Sequence, residues 1–329
     1  MTKTNQQKVK DFLINNGVII VMFILVIYTG FTSDNFFTKN NFMNILMNMS
    51  SRLVIALGIA GCVITAGCDL SAGRMIGFGA CISGMLLQRM DYSGKFFPDM
   101  QPLNVFVVAL IAMLVCAAFG TVTGFFIAYL NVPPFIATLA MMEIVYGIGL
   151  IVTNATPLGG YVEQYTNVSN GKFLGINYLI WIAIIVAAIT WFIFHMTRHG
   201  KYMYAIGGNP QAAEVAGVPV KATLILIYMK AAAMYGLAGF MLGAKAGGAS
   251  VQTGYGYEME AIAACTIGGV SVTGGRGKVS SAIIGVAVFE LLKVALQYLG
   301  MNANAQYIAI GVVIFIAISL DIRKYIARK

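Results

Sequence analysis

The feature that most constrains this chain is a recurrence of apolar runs of ~18 residues or more, each long enough to cross ~30 Å of hydrocarbon. VFVVALIAMLVCAAFGTVTGFFIAYL, residues 105–130, is one of them. Hydrophobic residues make up 59% of the 329 and charged residues only 10%, against about 25% charged in soluble domains. Too few charges remain to cover a water-facing surface. The runs do not alternate polar and apolar residues, which excludes a membrane β-barrel, and glycines inside them suit close helix packing in lipid. The expected class is therefore an all-α, polytopic membrane protein.

About ten membrane helices are expected, near 13–31, 45–66, 75–90, 103–130, 135–152, 176–195, 222–244, 260–272, 280–299 and 306–320. The eighth is too short to span alone and reads as broken or re-entrant. The stretch TNATPLGGYVEQYTNVSNGKFLG, residues 153–175, reads as the longest polar loop. No small-residue cleavage site follows the basic N-terminus, so the first helix is expected to be retained. With the N-terminus inside, alternate crossings place thirteen Lys and Arg inside, Arg74 among them, and five outside. Arg52, Lys230 and Lys293 are left at membrane depth. This bias favours both termini in the cytoplasm. It also explains the net charge of +9 without nucleic acid, since no basic patch is interleaved with aromatics. The five cysteines form no CxxC pair, so neither a metal nor a disulfide frame is indicated.

One segment breaks the apolar pattern, AIGGNPQAAEVAGV at residues 205–218. Asn209 is a preferred N-cap and Pro210 fits the first helical position. Gly217 suits the left-handed residue that ends a helix, and Pro219 stops continuation. A helix of about seven residues, ~10 Å long, follows from these signals. It cannot cross a membrane. It is equally a capped linker or a helix laid in a partner's groove.

Four motifs carry a resemblance: RLVIALGIAGCVITAGCDLSAGR (52–74), YLNVPPFIATL (129–139), the 205–218 segment, and AIAACTIGGVSVTGGRGKV (261–279). Together they resemble the permease subunits of bacterial ATP-binding-cassette sugar importers, in the ribose and galactose branch. The AGR ending, EMEAIAAC and the DIRKYIARK tail point to its galactose side. The resemblance covers essentially the whole chain. It implies one permease domain over 1–329, type II-like, acting as a homodimer in the inner membrane. Its implied partners are a separate ATPase and an extracytoplasmic sugar-binding protein. It implies that the 205–218 segment docks on the ATPase, through Gly207, Gly208, Asn209, Pro210, Gln211, Ala212, Ala213, Glu214, Ala216 and Gly217. Two positions depart from the pattern: Glu260 stands where Asp is usual, and Ile310 where Lys is usual.

Other polar positions have a bland reading beside the functional one. Asp69, Ser71, Gly73 and Arg74 read as a structural break in which Asp69 caps the following helix; sugar contact is the alternative. Glu143 lies about nine residues into its span, with Lys230 a candidate partner, and intramembrane acids are often functional. Glu290 and Lys293, three residues apart, read as a local pair. His195 and His199 have helical metal-ligand spacing but no third ligand. GGRGKVS, residues 274–280, lacks the spacing of a phosphate-binding loop, so ATP must be handled by a partner. Neither Gly-x-Ser-x-Gly nor His-Glu-x-x-His occurs; no enzymatic chemistry, cofactor or metal is expected. For a sugar path the candidates are Asn44, Asn48 and Ser51 on one helical face, and Phe135, Thr138 and Met142 on another. Helix packing through small polar groups explains them equally well. An ion-coupled secondary transporter is the rival reading, and would need paired intramembrane acids or matched broken helices.

Overall fold

The computed structural model describes residue 20 and residues 22–326. The start of the expected first helix, the basic residues before it and the last three residues lie outside these. The first described helix, α1, is Met22–Thr32. It is followed by α2 (Lys39–Ile64), α3 (Ala72–Leu86), α4 (Val105–Tyr129), α5 (Pro134–Thr153), α6 (Glu163–Asn170), α7 (Tyr178–Met196), α8 (Arg198–Gly208) and α9 (Pro210–Val215). The chain continues through α10 (Val220–Ala246), α11 (Tyr257–Gly268), α12 (Val279–Tyr298) and α13 (Ala303–Ile326). Among the described residues six helices, α2, α4, α5, α7, α10 and α12, are long and apolar enough to cross a membrane. α1, α3 and part of α13 are shorter apolar helices.

Helix starts follow local chemistry. The side chain of Asn104 accepts from Phe106 N, opening α4, and that of Asn177 accepts from Leu179 N, opening α7. Pro134 occupies the first turn of α5, where its missing N–H costs nothing.

α2 and α10 form the centre, while α4 and α5 are mostly exposed along their apolar lengths. Lipid tails are as apolar as leucine, so burial gives helices little reason to associate there; van der Waals packing does. Glycines permit it. A Cβ on Gly236 of α10 would collide with the Ala112 carbonyl of α4, and one on Gly120 of α4 with the Tyr228 carbonyl of α10. α11 and α12 meet the same way, at Gly268 against Ser281 and Gly285 against Ala264.

The 153–175 stretch differs from the simple loop expected. It holds α6 and a two-residue hairpin pairing β1 (Lys172–Phe173) with β2 (Ile176–Asn177). Tyr165 is fully buried and donates to the Phe240 carbonyl at 2.7 Å, and Ser169 donates to Ala244 O at 3.1 Å. The segment is thus a packed cap on α10. Isolated bridges Gln88–Tyr161 and Leu158–Ala249 tie it to the ends of α3 and α10.

Candidate functional site

Polar groups in an apolar bundle are costly unless paired or wet, so their placement defines the candidate sites. Four groups stand out.

The first is the α8–α9 turn. Thr197 ends α7, and its Oγ accepts from Gly200 N to open α8. His195 and His199 therefore sit on different helices, split at Thr197. Burial and the nearby Lys230 ammonium push the His199 imidazole down to about 4. Asn209 Oδ1 accepts from Ala212 N at 3.0 Å, as the N-cap reading expects. Gly217 has φ +80° and closes the turn as the left-handed residue. Gln211, Ala212, Glu214, Ala216 and Gly217 are exposed. So is Val215, at 91%, which sequence reasoning left out. Gly207 and Ala213 are buried, so these two coupling candidates are not offered to a partner. A Cβ on Gly207 would collide with Ile64 O at the end of α2. Beside it, Gly275 N donates to that same carbonyl at 2.8 Å, and Tyr204 OH donates to Gly277 O at 2.8 Å. The root of α9 is thereby fastened to α2 and to the 269–278 turn between α11 and α12.

The second group is the break between α2 and α3, facing the segment before α11. Asp69 Oδ1 accepts from Ser71 N at 3.0 Å and from Ser71 Oγ at 2.6 Å. Both residues are buried, and Ser71 is the residue flanking α3. Gly73 and Gly77 admit the opposing strand of chain: a Cβ on Gly77 would lie 2.7 Å from Val251 O. Arg74 was placed inside by the charge count. Its Nη1 donates to Gln252 Oε1 at 2.8 Å, and its guanidinium lies 3.9 Å from the Tyr146 ring centre and 4.5 Å from that of Tyr255. Gln252 and Tyr255 follow the end of α10 away from α9, and Tyr146 lies on α5.

The third group is a buried ion cluster. Arg52 of α2 pairs with Glu260 of α11, and its Nε lies 2.9 Å from Glu290 Oε2 of α12. Lys293 Nζ lies 2.6 Å from Glu260 Oε1. The side chains are 4–19% exposed. The local Glu290–Lys293 pair expected from sequence is replaced: each reaches a partner on another helix. Glu143 and Lys230 form no pair either. Glu143 is exposed on α5, whereas Lys230 lines a small pocket with His199, Gly58 and Thr190.

The fourth is a polar cleft of about 290 Å³ lined by Asn41, Asn44, Asn48, Lys245, Gln297 and Tyr298. Lys245 donates to Asn48 Oδ1. Of the six path candidates, Asn44 and Asn48 line it. Ser51 and Thr138 are buried, and Thr138 donates to Cys68 O at 3.3 Å, a packing role. Phe135 is 55% exposed and Met142 partly so.

A helical membrane protein with polar breaks at depth, an open polar cleft and an exposed capped turn rooted in its spans has the parts of a transport subunit. The family described as "Branched-chain amino acid transport system / permease component" matches residues 41–318. The chain belongs to that family of permease components, as a multi-pass membrane subunit rather than an enzyme. Along its whole length it is 39% identical to the galactose/methyl galactoside import permease protein MglC of Escherichia coli (strain K12), covering 100% of both chains. It is 40% identical to the protein of the same name from Haemophilus influenzae, again covering 100% of both. The ribose import permease protein RbsC of Escherichia coli (strain K12) is 32% identical over 96% of each chain. No solved structure matches the chain.

Proposed function

We propose that this chain is the permease subunit of an ATP-driven monosaccharide importer, with galactose or a methyl galactoside as its substrate. Two copies form the path in the inner membrane, each contributing about ten spans with both termini in the cytoplasm. An extracytoplasmic binding protein delivers the sugar. ATPase subunits grip the α9 turn through Asn209, Pro210, Gln211, Glu214, Val215 and Gly217.

The observation that carries this reading is the way α9 is held. Its tip is exposed and capped, while its root, Gly207, packs on Ile64 and Gly275. A push on the tip is transmitted through packed backbone to α2 and to the α11–α12 turn. Packed elements of this kind shift as bodies rather than deform smoothly. Sugar selection then rests with the binding protein, and the wet path needs only weak contacts. The 39–40% identity to the galactoside permeases supports the choice of sugar.

The test is uptake of labelled galactose into liposomes holding the permease, its ATPase and its binding protein. Uptake should need ATP and survive a protonophore. Uptake that persists without ATP and collapses with the proton gradient would make the chain an ion-coupled transporter. Competition by ribose or xylose in the same vesicles ranks the sugars.

A further inference from the structure

Arg74 lies half-buried among the helices, its Nε buried without a hydrogen-bond partner, and has no ion pair among the described residues. It is the third residue of α3, twelve residues and so about 18 Å from that helix's Leu86 end. Tyr146, beneath its guanidinium, is seven residues from the end of α5, about 10 Å. A charge at such depth faces either the bundle interior or water, and pairs when it can. Arg74 has only neutral oxygens and two ring faces. Tyr255 is 63% exposed and Gln252 is exposed. The surface they form is therefore open on the side of Tyr255 and Gln252, with Arg74 and Tyr146 half-buried behind them.

The backbone around it is irregular. Residues 65–71 and 247–256 both interrupt helices, and the second packs on the start of α3 at Gly73 and Gly77, directly after the first. Non-helical backbone at membrane depth persists only inside protein or beside a water-filled cavity. Glu258 reinforces this: its carboxylate is 94% buried beside Gly73, yet its Oε2 has no hydrogen-bond partner.

We propose that Arg74, Tyr146, Gln252 and Tyr255 form a carbohydrate contact on the translocation path. This deepens the importer reading and rests on it. The chemistry suits a pyranose. Its C–H face packs on an aromatic ring, and its adjacent hydroxyls match the planar donors of a guanidinium and the paired donor and acceptor of a carboxamide. Gln252 Nε2 donates to Tyr146 OH at 3.0 Å, which holds both polar ends in register. The surface is open rather than enclosed, as a step that must release its sugar requires.

The probe is the full complex carrying Tyr255→Cys, treated with a membrane-impermeant methanethiosulfonate with and without millimolar galactose. Four of the five native cysteines are buried, and Cys68 partly so; unsubstituted complex gives the background. The thiol at 255 should label readily, and galactose should slow labelling several-fold while mannitol does not. A thiol that does not label, or labels at the same rate with galactose, overturns the contact. Galactose uptake by the unsubstituted complex separates the two levels. If that uptake is ATP-driven while the thiol goes unprotected, only the contact falls; if uptake is absent, the importer reading falls.

Discussion

Two arginines stand at opposite extremes of the same physical problem. Arg52 is closed in: Glu260 and Glu290 answer its charge, Lys293 completes a four-charge cluster with no net charge, and three helices meet there. Arg74 is open, held by a glutamine, a carbonyl and two tyrosine rings, with no carboxylate in contact. A buried ion pair contributes little net stability when intact, but removing one partner strands the other charge. A cation without an ion pair strands no partner in direct contact. The difference assigns the first to holding the half-helix α11 in place and the second to contact with what passes through.

The comparison can be broken at several points, taken in order of expected effect. Arg52→Ala should destabilise the folded permease by about 3–5 kcal/mol, because Glu290 is left buried without a cation and Glu260 keeps only Lys293. A thiol-reactive dye reads this directly in a thermal ramp, since Cys62, Cys81, Cys116 and Cys265 are buried until the bundle opens. An unchanged melting curve would show that the cluster is not a clamp. Glu260→Asp sharpens the point. The shorter side chain reaches Arg52 or Lys293 but not both, so the loss should be smaller, about 1–3 kcal/mol for one buried donor left unmet.

Away from both arginines, Glu214→Arg should weaken co-purification of the ATPase several-fold while leaving the melting curve in place, because the side chain is exposed. Unchanged co-purification would remove Glu214 from the contact. The smallest effect concerns His199. Its folded-state pKa is lowered to about 4 from an ordinary 6.5, so its contribution to stability is present above pH 6.5. That contribution is lost as pH falls toward 4, because the unfolded chain takes up the proton first. The melting temperature should drop across that window, and His199→Gln should flatten the drop.

Much of this was legible in sequence. Apolar runs marked the long helices, and Asn209 and Gly217 marked both ends of α9, because caps and left-handed turns are local devices. The charge network was not legible. Glu290 and Lys293 are one turn apart, so spacing paired them with each other, while their actual partners lie on other helices. Arg52 is 208 residues from Glu260, and nothing in either neighbourhood signals the other. The partners of Arg74 were hidden for the same reason: those at 251–255 enter from a segment nearly 180 residues on. α6 was hidden because its sequence is polar, and its packing shows only in the structure, through Tyr165 against Phe240 and Ser169 bonded to Ala244 O. Ser51 and Thr138 are polar residues that turn out to be buried, an orientation that composition does not carry.

The central claim is that one arginine serves the fold and the other the cargo. The direct measurement is galactose uptake per folded permease, with melting temperature, for Arg74→Gln and Arg52→Met side by side in the reconstituted complex. Arg74→Gln should cost no more than about 2 kcal/mol of stability, the scale of a partly desolvated cation–π contact, yet lose about tenfold or more of its uptake. Arg52→Met should lose folded protein, with uptake by the surviving folded fraction much less affected. The reverse pattern, in which Arg74→Gln unfolds the permease and its folded remainder transports normally, would contradict the account.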